Sequence, residues 1–161
     1  LFPDCLMNGE SFDIICFNDS FEHLSSIKNV TKKTFDLLND DGIVFINLPS
    51  SNGIFYRTSK ILHKLGASNF FMRLWNKDLP SPHLSYFNPQ NLAILLKKNN
   101  FKILESGQLS SIHIRGLWQR IHYTKMNKFI GSIVFIIIMI SYPFIKLFDS
   151  DICYIVAAKQ N

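Results

Sequence analysis

The chain has 161 residues, 47% of them hydrophobic, enough to bury one core, so we expect one domain and exclude a largely disordered protein. Its three cysteines, Cys5, Cys16 and Cys153, lie far apart without a C-x-x-C pair. This spacing favours buried reduced thiols in a reducing cytoplasm over a disulfide framework or a zinc site. The net charge of +5 comes from the stretch between Ser106 and Phe148, which has no Asp or Glu and also holds the longest apolar run. For this stretch we expect an anionic membrane surface as partner, and no nucleic acid.

The first predicted element is a short strand at 12–17. This apolar run follows a turn-like stretch at 8–11 and stops at a polar cluster, a pattern typical of a buried strand. Open α/β sheets bind ligands at the carboxyl ends of their strands, and the cluster falls at that end. Its members Asn18, Asp19, Glu22 and His23 are therefore the first candidates for a functional site.

A helix and a second strand are predicted next. Apolar residues recur at helical spacing through 25–39, with Ser25 or Ser26 as the N-cap. The stretch 40–42 is expected to end this helix, and the apolar run 43–48 to form a strand. Strand, helix and strand joined by short turns make a βαβ unit, so we expect two parallel strands that are covered on both faces.

The rest of the chain is predicted to add two helices and two strands. A helix at 54–65 with Gly66 as its C-cap precedes an irregular aromatic stretch at 67–87. Asn88 and Pro89 begin a helix that runs to residue 99, and strands are expected at 101–108 and 152–158. The apolar residues of the helix at 54–65 are expected to face the core: Phe55, Ile61, Leu62 and Leu65.

Four sequence blocks, in this order, resemble the class I S-adenosylmethionine-dependent methyltransferases, in the small-molecule group with the pattern FDxIxxxDxxEHL. The first block matches that pattern directly. The second resembles an L-x-x-G-G turn with Asp41 in place of its first glycine, the third an x-x-P-N stretch, and the fourth an H-L-x-x-F-T-P helix entry. The matching residues are Phe12, Asp13, Ile15, Asp19, Glu22, His23 and Leu24, then Leu38 to Gly42, Asn47 to Ser50, and His83 to Pro89.

The resemblance implies an α/β fold: a partial Rossmann-like sheet, strands four to seven of seven, with flanking helices. Residues 1–161 would be the C-terminal part of one methyltransferase domain, with 112–148 as a basic, hydrophobic helical insertion before the last strand. The family's glycine-rich cofactor loop, and the acidic residue that ends its second strand, are absent from this sequence. Because the chain also begins with Leu1 rather than Met, we expect a fragment that binds cofactor weakly and is inactive alone.

The resemblance also implies S-adenosyl-L-methionine as the cofactor, with Asn18, Asp19 and Ser20 as its contacts. The alternative for Asp19 is that it only caps the following helix. No metal ligands are predicted.

Three side chains are candidates for catalysis on the methyl acceptor. Methyl transfer from a sulfonium requires alignment of the donor with the acceptor and, in some cases, removal of a proton. Glu22, His23 and His83 could act as bases or orient the acceptor, although each histidine could instead only hold the backbone. Nearby aromatic residues are expected either to line the acceptor pocket or to pack in the core: Trp75, Tyr86 and Phe87.

The uncharged run 129–145 is at the lower length limit for a transmembrane helix, and Pro143 interrupts its end. If the strands before and after it share one sheet, a single crossing would place them on opposite sides of the bilayer. A helix lying in the membrane surface, or a hairpin with 112–123, is therefore favoured. The alternative is a buried helix over the sheet or in a dimer interface.

Together these patterns predict a cytoplasmic enzyme, peripheral or monotopic at the membrane, that methylates a small or lipid-linked acceptor. One alternative is a non-catalytic, membrane-associated partner or scaffold of the methyltransferase type. Another is an integral membrane protein with a small cytosolic domain. The sequence leaves the oligomeric state open.

Overall fold

The computed structural model describes residues 10–76, 80–123 and 127–160, and these form an α/β structure. A 3-10 turn, Phe21–His23, follows the first strand. The helices and strands in chain order are β1 (Phe12–Asn18), α1 (Ile27–Leu37), β2 (Leu38–Pro49), α2 (Ile54–Lys64), α3 (Ser68–Leu74), α4 (Pro89–Lys97), β3 (Phe101–Leu109), α5 (Leu117–Tyr123), α6 (Lys128–Ile145) and β4 (Ile152–Lys159).

The four strands form one sheet in the order β1-β2-β4-β3. β1 and β2 are parallel, as the βαβ pattern predicts, while β4 runs antiparallel to both of its neighbours. The predicted fold class, a partial Rossmann-like sheet with flanking helices, is confirmed. The parallel pair brings the carboxyl ends of β1 and β2 to the same edge of the sheet, which is where the candidate site lies.

The hydrophobic core lies on one face of the sheet, under α1 and α4. Val44, Ile46 and Leu48 alternate along β2 and point into it, each at most 1% exposed. Leu92 and Leu96 of α4 pack against them from above. Burial of each of these side chains stabilises the fold by about 1.5–3 kcal/mol, so this single layer supplies much of the stability.

The prediction that β1 is covered on both faces is wrong. Ile14 is 63% exposed and Cys16 is also exposed, whereas Phe17 faces the core. The reason is that β1 is the edge strand of the described sheet. The helices α1 and α4 cover only the face on which Phe17 lies. Of the other two cysteines, Cys153 is buried as expected, and Cys5 lies outside the described residues.

β2 begins at Leu38, earlier than predicted, and contains a bulge where a turn was expected. Phe12 pairs with Leu38 but Ile14 pairs with Ile43, so the residues between Leu38 and Ile43 loop out of the ladder. Gly42 allows this, because a Cβ there would lie only 3.0 Å from the carbonyl oxygen of Phe12. The helix therefore passes directly into the strand.

α2 and α4 lie where they were predicted, and both carry the expected end signals. Asn88 and Asn91 form a reciprocal capping box at the start of α4, with both side chain to backbone distances at 2.8 Å. Gly66, just after α2, has φ +95°, the left-handed conformation that favours glycine at a helix end. Ser26 holds the N-cap position of α1, although its side chain makes no capping hydrogen bond.

The prediction that α2 faces the core is wrong. Phe55, Ile61 and Leu65 are 47%, 60% and 78% exposed. The reason is that α2 packs against α3, a helix within the stretch that was expected to be irregular, instead of against the sheet. These two helices form a separate layer beside the candidate site.

α5 and α6 pack against each other in the connection between β3 and β4. The Trp118 ring of α5 meets the Phe135 ring of α6 edge to face, at 5.1 Å between centroids. Leu109 pairs with Ile152, so both ends of the connection that contains α5 and α6 leave from the same edge of the sheet. In the described part of the chain α6 is the one helix that is long and apolar enough to cross a membrane, and only 6% of it is buried. It therefore does not serve as a buried cover for the sheet.

Candidate functional site

The polar residues that follow β1 lie at the carboxyl ends of the two parallel strands. Asn18 pairs with Asn47 of β2, and the N–H of Asp19 donates to the carbonyl oxygen of Asn47 at 3.1 Å. Asp19 has φ +45°, in the left-handed region that Asp tolerates better than most residues, and the chain turns away from the strand there. Ser20 and Ser26 hold the next two N-cap positions, so Asp19 caps neither element.

Asn47 is a feature of this edge that was not predicted as a site residue. Its side chain is 6% exposed, and its Oδ1 atom accepts no hydrogen bond within the described residues. A buried carbonyl oxygen without a donor is unfavourable, so this atom offers an acceptor position to a bound ligand.

Glu22 is a buried carboxylic acid next to His23. It is 1% exposed, and neither carboxylate oxygen has a hydrogen-bond partner in the described part of the chain. Its Oε1 atom lies 3.7 Å from Nε2 of His23. Burial raises the pKa of this carboxyl above its ordinary value. The backbone carbonyl of Glu22 accepts from the N–H groups of Leu84 and Ser85, which fixes the loop around residue 83 against the turn.

The two histidines meet across this junction, with ring centroids 4.7 Å apart. Nδ1 of His23 lies 2.8 Å from the carbonyl oxygen of Pro82, which only accepts, so Nδ1 carries the hydrogen. Nδ1 of His83 lies 3.0 Å from the hydroxyl of Tyr86, which itself donates to the carbonyl oxygen of Leu74. In the neutral form, therefore, both histidines present a lone pair on Nε2.

The environment also favours that neutral form for His83. Burial lowers the pKa of its imidazole, and the nearby His23 lowers it further. The three catalytic candidates from the sequence, Glu22, His23 and His83, are thus brought together even though His83 lies about sixty residues away in the chain.

A cavity of about 530 Å³ opens beside this cluster, between α2, α3 and the loop that carries His83. Its walls are mostly apolar, and a few polar side chains, including His83, contribute to them. Residues of both helices and of the loop line it, among them Phe55, Leu62, Phe70, Leu74, His83 and Tyr86. The surroundings fit a largely apolar molecule that carries a polar group.

The aromatic candidates divide between the two roles considered for them. Tyr86 lines the cavity, whereas Phe87 packs against Phe21 in the core. Trp75 contacts the Tyr86 ring from behind, at 4.9 Å between centroids.

Arg73 and Asn76 also line the cavity and were missed from the sequence. Arg73 belongs to α3, which was not predicted, and Asn76 directly follows that helix. No motif marks either residue, and only a correct prediction of α3 would have identified them.

Comparison with known families identifies the fold. The family model described as a methyltransferase domain matches residues 2–106, about two thirds of the chain. No curated protein matches the chain.

Solved structures with similar folds are methyltransferases and related enzymes. One is a SAM-dependent methyltransferase from Thermotoga maritima described as a possible histamine N-methyltransferase, at 11% identity and TM-score 0.54 over 94% of this chain and 57% of that one. Another is the cyclopropane synthase MmaA2 from Mycobacterium tuberculosis, at 14% identity and TM-score 0.60, over 93% of this chain and 56% of that one. A third is phosphoethanolamine N-methyltransferase 2 from Haemonchus contortus, in complex with phosphomonomethylethanolamine and S-adenosylhomocysteine. It matches at 14% identity and TM-score 0.54, over 93% of this chain and 34% of that one.

The chain thus spans 57% or less of the length of these structures, and their low identity establishes the fold alone. Within that fold the matched region contains β1, β2 and the polar residues at their carboxyl ends. The resemblance to S-adenosylmethionine-dependent methyltransferases is confirmed, and the chain belongs to the methyltransferase-domain family.

Proposed function

We propose that this chain forms the acceptor-side part of an S-adenosylmethionine-dependent methyltransferase that acts on a small apolar or lipid-linked acceptor. The observation that carries the proposal is one juxtaposition. Polar residues end two parallel strands, and a mostly apolar cavity opens beside them with His83 in its wall. Family membership supplies the reaction type.

The residues at the edge of the sheet fit one side of the cofactor. S-adenosylmethionine carries amino and hydroxyl donors, and the unpartnered Oδ1 of Asn47 and the exposed carboxylate of Asp19 are acceptors for such groups. Asn18 lies between them and is open to solvent. When bound, the cofactor supplies a methyl group on a positively charged sulfur. Two similar solved structures contain S-adenosylhomocysteine, which supports the same cofactor here.

The chain's own residues then have to place the acceptor and control its proton. The apolar walls of the cavity exclude water from the body of an acceptor. His83 lies in the cavity wall and forms a cluster with Glu22 and His23. A neutral imidazole there is able to hold or receive a proton from an acceptor hydroxyl or amine. The burial that lowers the pKa of His83 favours this neutral form.

A second cavity supports a lipid-linked acceptor. It has a volume of about 640 Å³ and lies against α5 and α6, with walls that include Ile121, Ile137 and Ile145. Phe55 lines both this cavity and the first one. An apolar chain that enters at the α5–α6 hairpin would therefore follow apolar walls towards His83.

For the location of the protein we propose the cytoplasmic surface of a membrane, with α6 lying in the interface. Its exposed apolar side chains include Ile136, Ile137 and Ile140, and Lys128 and Lys146 stand at its two ends. Eighteen residues make a helix about 27 Å long, short of the roughly 30 Å hydrocarbon core. Both ends of the insertion leave one edge of the sheet, which favours a monotopic hairpin over a single crossing.

Calorimetry of the full-length protein with S-adenosylmethionine tests the proposed function. We expect saturable binding, weakened about tenfold or more by Asp19→Asn, which removes the charge yet tolerates the left-handed backbone. Asp13→Asn is the matched control because Asp13 is exposed at the opposite end of β1, where it bonds Asn39. Absence of binding by the wild-type protein would contradict the enzymatic proposal and favour the non-catalytic partner or scaffold.

A further inference from the structure

We propose that Glu22, His23 and His83 bind one divalent transition-metal ion beside the cavity, where His83 forms part of its wall. Zn²⁺ is the representative of this class. The inference deepens the proposed function and rests on it, because it assigns the metal to the acceptor end of that site. It departs from the expectation, based on sequence, that the chain has no metal ligands.

The geometry of the three side chains supports such a site. One ligand atom from each residue lies within 4.8 Å of the others. Oε1 of Glu22 and Nε2 of His23 are only 3.7 Å apart. Metal to ligand distances of about 2.0–2.2 Å place neighbouring ligand atoms roughly 3–3.5 Å from each other. Rotamer adjustments of about an ångström would therefore close the cluster around an ion.

Glu22 provides the second and independent observation. A carboxylate that is 1% exposed normally has a positive or hydrogen-bonding partner, since ionised carboxylates are strongly hydrated. In the described part of the chain no lysine or arginine pairs with Glu22, and neither of its oxygens accepts a hydrogen bond. Its Oε1 atom lies 3.7 Å from Nε2 of His23, whose ring contacts that of His83. A cation held between the carboxylate and the imidazoles satisfies all three groups.

The surrounding hydrogen bonds orient both imidazoles as metal ligands. A ligating histidine usually donates its other ring N–H to a carbonyl or similar acceptor, which fixes the tautomer and the plane of the ring. Nδ1 of His23 makes this bond to the carbonyl of Pro82, and Nδ1 of His83 makes it to the Tyr86 hydroxyl. Both Nε2 atoms are left for the ion. The Asn76 amide, 3.3 Å from Nε2 of His83, would have to move aside.

The ligand set indicates the class of metal and its use. Two imidazoles and one carboxylate suit Zn²⁺ or another transition metal better than Mg²⁺ or Ca²⁺, which prefer oxygen ligands. Three protein ligands leave at least one coordination position open, and His83 also forms part of the cavity wall. An acceptor hydroxyl in the cavity would reach that position, and the ion would lower the pKa of the hydroxyl. Because both Nε2 atoms would be bound to the ion, the proton would leave to solvent instead of to a free imidazole. The acceptor class is then an apolar molecule with a hydroxyl at one end.

Titration of the chelator-treated, full-length protein with Co²⁺, followed by its visible d–d absorption and by calorimetry, tests the site. Zn²⁺ competition completes the measurement. We expect one equivalent to bind, and Glu22→Gln, His23→Asn and His83→Asn each to weaken binding about 100-fold or more. His63→Asn is the matched control, since His63 is exposed and bonds Ser68 outside the cluster. It should bind like the wild type.

Two outcomes would overturn the site: no bound Co²⁺ in the wild type, or equal loss of binding in His63→Asn and His83→Asn. Circular dichroism of each variant verifies that it is folded. Glu22→Gln keeps the shape of the side chain and removes a charge that is unfavourable in a buried position. S-adenosylmethionine binding is measured on the same samples. In the wild-type protein, absence of metal binding with intact cofactor binding refutes the metal site alone, and metal binding without cofactor binding refutes the proposed function alone.

Discussion

Asp151 directly precedes β4 in the chain, yet it serves the helix α2 far away in sequence. Its Oδ1 atom accepts from the N–H groups of Phe55 and Tyr56, at 2.9 and 3.3 Å, so it caps the free amides at the start of α2. Its Oδ2 atom is buried without a partner in the described residues. Burial raises the pKa of this carboxyl, more than its two backbone hydrogen bonds lower it. The cap therefore positions one wall of the cavity at some electrostatic cost.

Asp151→Asn is expected to change how stability depends on pH. A carboxyl whose pKa is raised by folding contributes stability that is fully present below its unfolded pKa, near 4, and lost as pH rises through the folded pKa. The amide keeps an acceptor for both N–H groups but cannot ionise. Urea unfolding between pH 4 and 7 should therefore show the variant gaining stability relative to the wild type as pH rises. A stability difference that stays constant over this range would contradict the account.

Glu22 shows why part of the site was predictable and its character was not. Its place after an apolar strand marks it as a candidate, because the carboxyl end of a strand is a known ligand position. Its burial without a partner depends on the loop from residue 82 to 85 folding over the 3-10 turn. Sequence periodicity contains no information on that contact.

The local signals at element ends were the most reliable part of the sequence. The capping residues Asn88 and Pro89 and the C-terminal Gly66 act through their nearest neighbours, so their patterns are readable without tertiary structure. The prediction that the apolar face of α2 is buried in the core was wrong, because burial depends on tertiary packing and not on nearest neighbours. Which apolar face is buried depends on the neighbouring helix, α3, whose short aromatic sequence resembles a loop.

Asn88→Ala is expected to destabilise the protein by about 1 kcal/mol, because it removes the capping box at the start of α4. That helix supplies Leu92 and Leu96 to the core, so the loss is transmitted to the whole domain. Chemical denaturation measures the change. Asn29→Ala serves as the control, since Asn29 is exposed within α1 and alanine raises helix propensity there. Equal destabilisation by both variants would argue against the cap.

The whole molecule combines a half-covered sheet, a polar edge and an apolar hairpin. The sheet's core face is closed by α1 and α4, while the candidate site lies at the carboxyl ends of β1 and β2. One cavity lies against α2 and α3 and another against the α5–α6 hairpin, and Phe55 lines both. In the proposed function, this arrangement gives an apolar acceptor a route from the surface of the hairpin to the polar cluster that avoids the core.

Membrane binding is tested by sedimentation of the full-length protein with phosphatidylcholine vesicles containing phosphatidylserine. A double variant, Ile137→Glu with Ile140→Glu, changes two side chains of α6 that are 59% and 66% exposed. It should lower the partition coefficient of the protein into the vesicles about tenfold or more. Ile94→Glu is the matched control, because Ile94 is 54% exposed on α4, away from the hairpin. Unchanged partition of the α6 variant would remove the membrane from the account.

Photocrosslinking of the full-length protein with S-adenosylmethionine labelled in its methyl group tests the central claim most directly. The account places the cofactor against Asn18, Asp19 and Asn47. Within the chain, tryptic cleavage after Lys28 releases one peptide that contains Asn18 and Asp19. The label is predicted on that peptide and should be displaced by S-adenosylhomocysteine. A displaceable label found elsewhere and absent from this peptide would contradict the cofactor position at the end of β1.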